Sequence, residues 1–524
     1  MAYYHFIGKR STFDIFNQIG GQTDVMKQIP YYLRDFWPVI LLFILAVYFF
    51  SKIYPKLNVN EQKYDYTGKS ISVYSLGFIV ICLLSVLGLR GGLQRVPIDF
   101  ADAGNYSRPQ NVSLVLNSPF TLIKSYSRAG LEEYNFTSNE NAFAAIKPFK
   151  KFEGKLFNNN NIVILMLESF SKEYTGIGNR KSATPFLDSL MKNSLVFTNA
   201  WANGTKSIEG IPAILASIPC LTNDPFINSP YCNNTINSLA TLLKKKNYNS
   251  AFMHGGINGT MNFDVFAKQS DFDVYLGRNE YNNESDFDGN WGIWDEPYLQ
   301  YCTKKLSEFK EPFFGAIFTL SSHHPYKVPE KYAGKFPKYE LENSESIGYA
   351  DFALKKFFET ASKLPWFDRT LFVLVADHAS ISSDPFYANT LGQHAIPVLF
   401  YKKNSLIRGV NHHLMEQIDI MPTLLDTMGY ELPFFSLGKS VFKDTTGNYA
   451  VFYDSGNHYL VNDSMFFAYN QFKPVQKIRF ISDSTLSHNL KNYNSTASDS
   501  YFKNFVQVHN YSVIKNKMTA GSLK

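Results

Sequence analysis

The chain has 524 residues, and at roughly 150 residues per domain that length accommodates two or three domains around a large core. Charged residues make up 18% and hydrophobic ones 45%, with 46 Phe and 33 Tyr, a composition that excludes wholesale disorder, collagen and low-complexity character. A formal charge of +6, carried by scattered lysines, gives nucleic-acid binding no support and leaves a mild preference for anionic surfaces.

The mean hydropathy of -0.18 hides two local runs. Residues 36–50 read FWPVILLFILAVYFF, edged by Tyr31, Tyr32 and Tyr54, and residues 70–89 read SISVYSLGFIVICLLSVLGL, closed by Arg90. Both approach the ~20 residues that cross a bilayer, and neither has a polar face at helical period. They predict transmembrane helices at about 34–54 and 70–89 within a membrane region, 1–92. Lys52, Lys56, Lys63 and Lys69 between the runs balance Lys9, Arg10, Lys27 and Arg34 before them, so charge does not fix orientation. Two crossings put both ends on one side. No short apolar core of a secretory leader opens the chain, and segment 1–35 resembles a loop between helices, as if earlier spans preceded it.

A polar, Asn-rich connector is expected over 93–158. From Asn161, apolar runs of strand length alternate with amphipathic segments: NIVILML, TPFLDSLMKNSL, NSLATLLKKKN, SAFMHGG, PFFGAIFTL, ESIGYADFALKKFFETASK, LFVLVAD and IPVLFY. This alternation predicts an α/β domain over 159–440, its sheet covered on both faces and its ligands beyond the carboxyl ends of the strands. Residues 441–524 turn Tyr-, Asn- and Ser-rich, which predicts a C-terminal β subdomain and a frayed tail. If the α/β domain lies outside the cytoplasm, Cys220 and Cys232 are the natural disulfide pair, with two free thiols as the alternative; no Cys/His spacing marks a structural zinc site.

Polar groups fall where strands end: Glu168 after NIVILML, His254 after SAFM, His323 after GAIFTLSS, and Asp377 with His378 after LFVLVA. Carboxylates from two strands, an imidazole and a hydroxyl form a mixed O and N ligand set for a divalent cation. The run NGTKSIEGIPAILASIP offers the hydroxyl, as Thr205 or Ser207, on a turn before a helix whose start favours anions. Such a hydroxyl is a candidate nucleophile toward phosphorus or sulfur.

The motifs LMLES, TPFLDSL, GTKSIEG, MHGG, LSSHHPY, VADH, QHAIPVLFY and QIDIMPTLLDTMG, in this order, resemble the alkaline phosphatase superfamily, and within it the membrane-anchored lipoteichoic acid synthase and phosphoglycerol transferase branch. The resemblance implies an alkaline phosphatase/sulfatase-like mixed sheet flanked by helices behind two transmembrane helices. It implies a metal, Mn²⁺ first with Zn²⁺ or Mg²⁺ as alternatives, on Glu168, the hydroxyl of the GTKS turn, Asp377 and His378. The G-T-x-T form of the turn aligns the nucleophile with Ser207, where the family's usual residue is Thr; Thr205 remains the alternative. His254 and His323 match positions that contact the substrate. His394 resembles a histidine near a second-metal or acceptor site, or is structural; Lys206 holds a phosphate oxygen, or is solvated. Where the synthases carry a Trp and an Arg after the HG motif, this chain reads GGINGTMNFD.

The implied function is transfer of a phosphoglycerol-type group from an anionic phospholipid to a lipid or glycan acceptor, through a covalent Ser/Thr intermediate. The implied place is the cytoplasmic membrane, multi-pass, with the catalytic domain on the extracytoplasmic side. A phosphoethanolamine transferase or a phosphodiester or sulfate-ester hydrolase is the alternative within the superfamily, and an inactive membrane scaffold the alternative outside it. A strict sulfatase needs C/S-x-P-x-R, whereas Ser207 is followed by Ile-Glu-Gly-Ile and Cys220 by Leu-Thr-Asn-Asp.

Overall fold

The computed structural model describes residues 30–31, 33–54, 67–93, 112–115, 117–126, 131–178, 182–229, 231, 234–339, 341–443 and 448–523. The loop reading of segment 1–29, and Cys232 with its pairing to the buried Cys220, lie outside these residues.

Two apolar helices come first, α1 (Trp37–Ile53) and α2 (Gly68–Arg90), and neither buries a residue. Phe43 and Phe50 on α1 and Phe78 and Leu83 on α2 stand in the open. Helices apolar all round need a non-aqueous surrounding. By length and composition α2, with 23 residues, is able to cross a membrane, whereas α1 is shorter, at 17. The expected pair of spans is therefore matched in length by α2 alone. Thr67 caps α2 by accepting from Ser70 N, and Gly91 ends it at φ 81°, the left-handed geometry glycine adopts without a Cβ clash.

The α/β region holds β1 (Asn161–Leu167), α3 (Pro185–Met191), β2 (Leu195–Phe197), α4 (Ser207–Ala216), α5 (Leu239–Lys244), β3 (Asn249–His254), β4 (Val274–Leu276), α6 (Asp295–Glu308), β5 (Phe313–Phe318), α7 (Ser344–Ala361), β6 (Thr370–Ala376), β7 (Val398–Tyr401), β8 (Gly409–Asn411) and α8 (Ile420–Met428). The strands form one sheet in the order β8-β2-β7-β6-β1-β5-β3-β4. Every residue of β1, β5 and β6 is buried, as expected of central parallel strands covered on both faces. The sheet is mixed: β1 runs parallel to β5 and β6, whereas β7 is antiparallel to β6 and β2.

Four antiparallel strands follow, β9 (Ala450–Asp454), β10 (Asn457–Val461), β11 (Phe466–Asn470) and β12 (Lys473–Ile478). The frayed tail is corrected: residues 496–514 form a 19-residue helix, α9 (Thr496–Ile514). Phe502, Phe505, Val506, His509 and Val513 recur at helical spacing along its buried face, a pattern that Asn and Ser between them concealed. Gln507 clasps the connector through Phe136 N, Thr137 and Asn139, and Asn510 donates to Glu132 O.

Burial pushes His458 and His509 down to about 4, against the partial support of backbone groups at Leu221 and Pro219 just beyond α4. With an ordinary value of 6.5 in the unfolded chain, the unfolded state takes the proton first. Their contribution is complete above pH 6.5 and is lost as pH falls towards 4, by up to roughly 3 kcal/mol per histidine. Denaturant midpoints of the detergent-solubilised chain should therefore drop across this window, and a His458→Gln/His509→Gln variant should show a flatter slope; equal slopes would refute the assignment.

Candidate active site

The register of the central strands builds the site. Leu167 of β1 pairs with Ala376 of β6, so the next residues, Glu168 and Asp377, emerge side by side at buried strand ends. Asp377 N continues the ladder to Leu167 O at 3.1 Å. Glu168 N donates to Thr319 Oγ1, one residue past β5, at 2.9 Å, and Ser322 Oγ donates to Glu168 O. Ser169 takes φ 55°, unfavourable for a side chain with a Cβ, and this turns its N–H onto Asp377 Oδ1 at 2.9 Å while its hydroxyl donates to Glu168 Oε1.

His378 completes the cluster. Its Nε2 lies 3.4 Å from Asp377 Oδ2 and 3.7 Å from Glu168 Oε1. Its Nδ1 meets Ala379 O at 2.8 Å; a carbonyl only accepts, so Nδ1 carries the proton and, in the neutral ring, Nε2 turns a lone pair to the carboxylates. Burial, and Glu168 beside it, push the Asp377 carboxyl well above the usual range. Burial opposes the charge on Glu168 too, but His323, His378 and the Ser169 hydroxyl outweigh it and hold this carboxyl below its ordinary value. Asp377 Oδ2 is buried with no hydrogen-bond donor among the described residues.

The hydroxyl that joins the cluster is that of Ser207. It opens α4 and donates to Glu168 Oε2 at 3.1 Å. Thr205, two residues earlier, gives its N–H to Glu209 Oε2 at 2.8 Å, and its hydroxyl has no hydrogen-bond partner among the described residues. Lys206 is the N-cap residue of α4, half-buried. Ligand atoms of Glu168, Asp377 and His378 all lie within 4.8 Å of one another. Two carboxylates, an imidazole lone pair and a hydroxyl facing one point fit a divalent cation.

The remaining histidines divide. His323 is half-buried, its ring 4.1 Å from that of Trp291 between centroids, and its Nδ1 meets His324 O at 2.9 Å. His254 is fully buried under the site, stacked on Phe318 at 4.8 Å, and burial lowers it to about 4. His394 is buried against the C-terminal sheet, stacked on Phe452 at 3.9 Å, and its carbonyl accepts from Ala202 N just before the GTKS turn.

Sequence reasoning assigned no role to the groups that hold these parts together. Gln417 Nε2 donates to the carbonyls of Ala376 and Asp377 at 2.8 and 2.7 Å, and its Oε1 accepts from Asn203 N. Asn203 in turn donates to Glu416 Oε2 and accepts from Ile418 N. The QID motif was the available signal, since polar residues before an apolar helix invite a partner. Gly210 lets α4 approach the strand end: a Cβ there would stand 2.1 Å from Asp377 O.

The Sulfatase family profile matches residues 160–430. Lipoteichoic acid synthase 2 of Bacillus subtilis (strain 168) is 26% identical over 357 residues, covering 62% of this chain and 52% of that protein. Lipoteichoic acid synthase of Staphylococcus aureus (strain USA300) is 23% identical over 478 residues, 82% of this chain and 70% of that protein. The chain spans about half the length of the two Bacillus subtilis synthases it matches. Among solved structures, a Vibrio parahaemolyticus protein of the alkaline phosphatase superfamily superposes with TM-score 0.65 at 24% identity, covering 74% of this chain and 99% of that one. The lipoteichoic acid synthase LtaP from Listeria monocytogenes superposes with TM-score 0.60 at 18% identity, covering 72% and 97%. These likenesses agree with the mixed sheet flanked by helices described above.

A methyl group at Gly210 must drive α4 off Asp377, and loss of the Gln417 amide frees the Asp377 carbonyl. Gly210→Ala and Gln417→Leu should each weaken divalent-cation binding by about 10- to 100-fold, read by calorimetry. Unchanged affinity in both would refute these roles.

Proposed function

The chain belongs to the sulfatase family, within the alkaline phosphatase superfamily, and from this premise we propose that it is a membrane-anchored phosphotransferase with Ser207 as its nucleophile. The group carried is of the phosphoglycerol type, taken from an anionic phospholipid and passed to a hydroxyl of a lipid or glycan. The observation that carries this reading is the Ser207 hydroxyl at the start of α4, bonded to Glu168 within the Glu168, Asp377 and His378 cluster. The relatives named lipoteichoic acid synthase support the phosphoglycerol chemistry. The protein is assigned to the cytoplasmic membrane, both apolar helices spanning it and the region from 159 to 440 catalytic on the extracytoplasmic side, with a connector before it and a β subdomain after it.

A divalent cation, Mn²⁺ first with Zn²⁺ or Mg²⁺ as alternatives, would be held by Glu168, Ser207, Asp377 and His378 and would supply Lewis acidity toward the hydroxyl and the phosphoryl oxygens. The chain's own residues do the rest. Ser207 Oγ forms a bond to phosphorus as the bond from phosphorus to the diacylglycerol oxygen breaks; the hydroxyl proton is taken at Glu168 Oε2, to which it already donates. His323, beside the cluster, gives the leaving oxygen its proton. In the second half the acceptor hydroxyl attacks phosphorus and gives its proton to His323, while Ser207 Oγ leaves and recovers the proton from Glu168. The N-terminus of α4 and Lys206 favour the negative phosphoryl oxygens. His254, neutral and buried, shapes the floor, and His394 supports the turn from behind.

One observation favours a different head group. The run Gly255–Asp264 carries no basic side chain, and its Phe263 packs on His254 with centroids 5.5 Å apart, which suits a zwitterionic phosphoethanolamine better than a second anion. Labelled phosphatidylglycerol and phosphatidylethanolamine, each incubated with the full chain and Mn²⁺ or Zn²⁺, separate the two. A covalent adduct on the Ser207 peptide should appear by mass spectrometry, persist in Thr205→Ala, and vanish in Ser207→Ala with turnover lowered more than roughly 10³-fold. The adduct mass names the group. An adduct that discharges only to water identifies a hydrolase; no adduct and no diacylglycerol, with cation bound, leaves the scaffold.

A further inference from the structure

The first apolar helix does not simply tether the catalytic region; its head touches the loop that carries His323. Lys327 Nζ donates to Tyr31 Oη at 3.0 Å and lies 4.5 Å above the Tyr31 ring. Asp35 Oδ2 stands 3.8 Å from His324 Nε2, and its Oδ1 accepts from Arg34 Nε at 3.0 Å. The His324 side chain is only 7% exposed. Its carbonyl accepts from both Trp291 Nε1 and His323 Nδ1, and the electrostatic influence of His323 reaches Glu168. A short series of contacts thus leads from Asp35, two residues before α1, through His324 to His323.

The composition of this loop fits the same location. Lys327, Lys331, Lys335 and Lys338 are exposed and alternate with the half-buried Tyr326, Tyr332, Phe336 and Tyr339. Lys331 pairs with Glu296 and Lys338 with Glu345, whereas Lys335 lies 4.9 Å from the Tyr332 ring. Lysines interleaved with aromatic rings are the side chains that settle at an anionic bilayer surface. The loop touches Tyr31, six residues before Trp37, where the exposed apolar surface of α1 begins.

We propose that Tyr31, by holding Lys327, and Asp35, by lying against His324, fix the loop over 323–338 flat on the bilayer, so that an anionic phospholipid head group enters the candidate site directly from the membrane surface. This rests on the membrane-anchored lipid-donor reading above. Tyr31, Asp35 and Lys327 act as positioning residues: they set where the pocket opens and take no part in the reaction at phosphorus.

The placement is testable without turnover. A bimane label at Lys335→Cys, in a Cys82→Ser background reconstituted in phosphatidylglycerol vesicles, should be quenched by lipid-borne nitroxide. A label at Leu406→Cys should not be: that residue is 93% exposed in the loop after β7, which is antiparallel to β6 and so ends at the opposite edge of the sheet. In Asp35→Ala/Lys327→Ala the quenching at 335 should fall by half or more. Turnover of vesicle lipid should fall roughly tenfold or more as the effective concentration of donor is lost, while a water-soluble phosphodiester is processed as before. No quenching at 335, equal quenching at both sites, or an equal loss on both substrates would overturn the proposal. If neither substrate is turned over at all, the phosphotransferase reading fails and the quenching alone decides the placement.

Discussion

Two carboxylates at adjacent strand ends, both fully buried, are the constraint around which this molecule is arranged. Glu168 and Asp377 are adjacent because Leu167 and Ala376 pair in register, and both are buried because β1 and β6 are covered on both faces. Two like charges 4 Å apart repel by about 4 kcal/mol even at an effective dielectric of 20, before any desolvation. The backbone N–H groups of Ser169 and His378 both go to one oxygen, Asp377 Oδ1, and Oδ2 is left to face Glu168 and the His378 imidazole. Proton or cation must neutralise that point, and members of this superfamily use divalent metals. A site so arranged is destabilising until it is filled, which is how a fold keeps strong ligands poised.

The Ser207 hydroxyl is brought to this point by packing and not by a flexible loop. Helix α4 is buried along its whole length, and at Gly210 its backbone runs so close to Asp377 O that no side chain fits between them. Glu209 folds back to cap Thr205 N, which occupies the Thr205 main chain and leaves Ser207 as the first helical residue. From the other side Gln417 holds the Asp377 carbonyl and Asn203 N together. Distance between Ser207 and the carboxylates is therefore set by rigid elements, which is what the proposed in-line transfer at phosphorus would demand.

Much of this was legible in the sequence because the sheet announces itself. An unbroken apolar run such as NIVILML or LFVLVA has one reading next to amphipathic segments, and the residue that ends it is where a parallel sheet puts its chemistry. The motif ranks Ser207 above Thr205 on the same turn, and the helix phase shows that it is the Ser207 hydroxyl that reaches Glu168. Gln417, Asn203 and Gly210 were harder still. Their roles depend on contacts across more than a hundred residues of chain, and a buried amide or glycine has no local signature that tells positioning from packing. Helix α9 was missed because its polar composition outweighed a 3–4 spacing of apolar residues, and its partner, the connector helix over Asn139–Ile146, is remote in sequence.

That last helix bears on how the membrane part and the catalytic part act together. The connector that follows α2 reaches the α/β region where Gln507 and Asn510 of α9 clasp residues 132–139. The other attachment is the contact of Tyr31 and Asp35 with the His323 loop. One tether would restrict only distance, giving a high effective concentration with free orientation. Two attachments on different elements restrict orientation as well, and one of them lies next to His323. For a donor whose tails stay in the bilayer, orientation is the limiting quantity, because a pocket turned away from the surface gains nothing from proximity. The C-terminal helix thus belongs to the same design as the strand ends: under the membrane-anchored reading proposed above, it fixes the second point about which the catalytic region would otherwise swing.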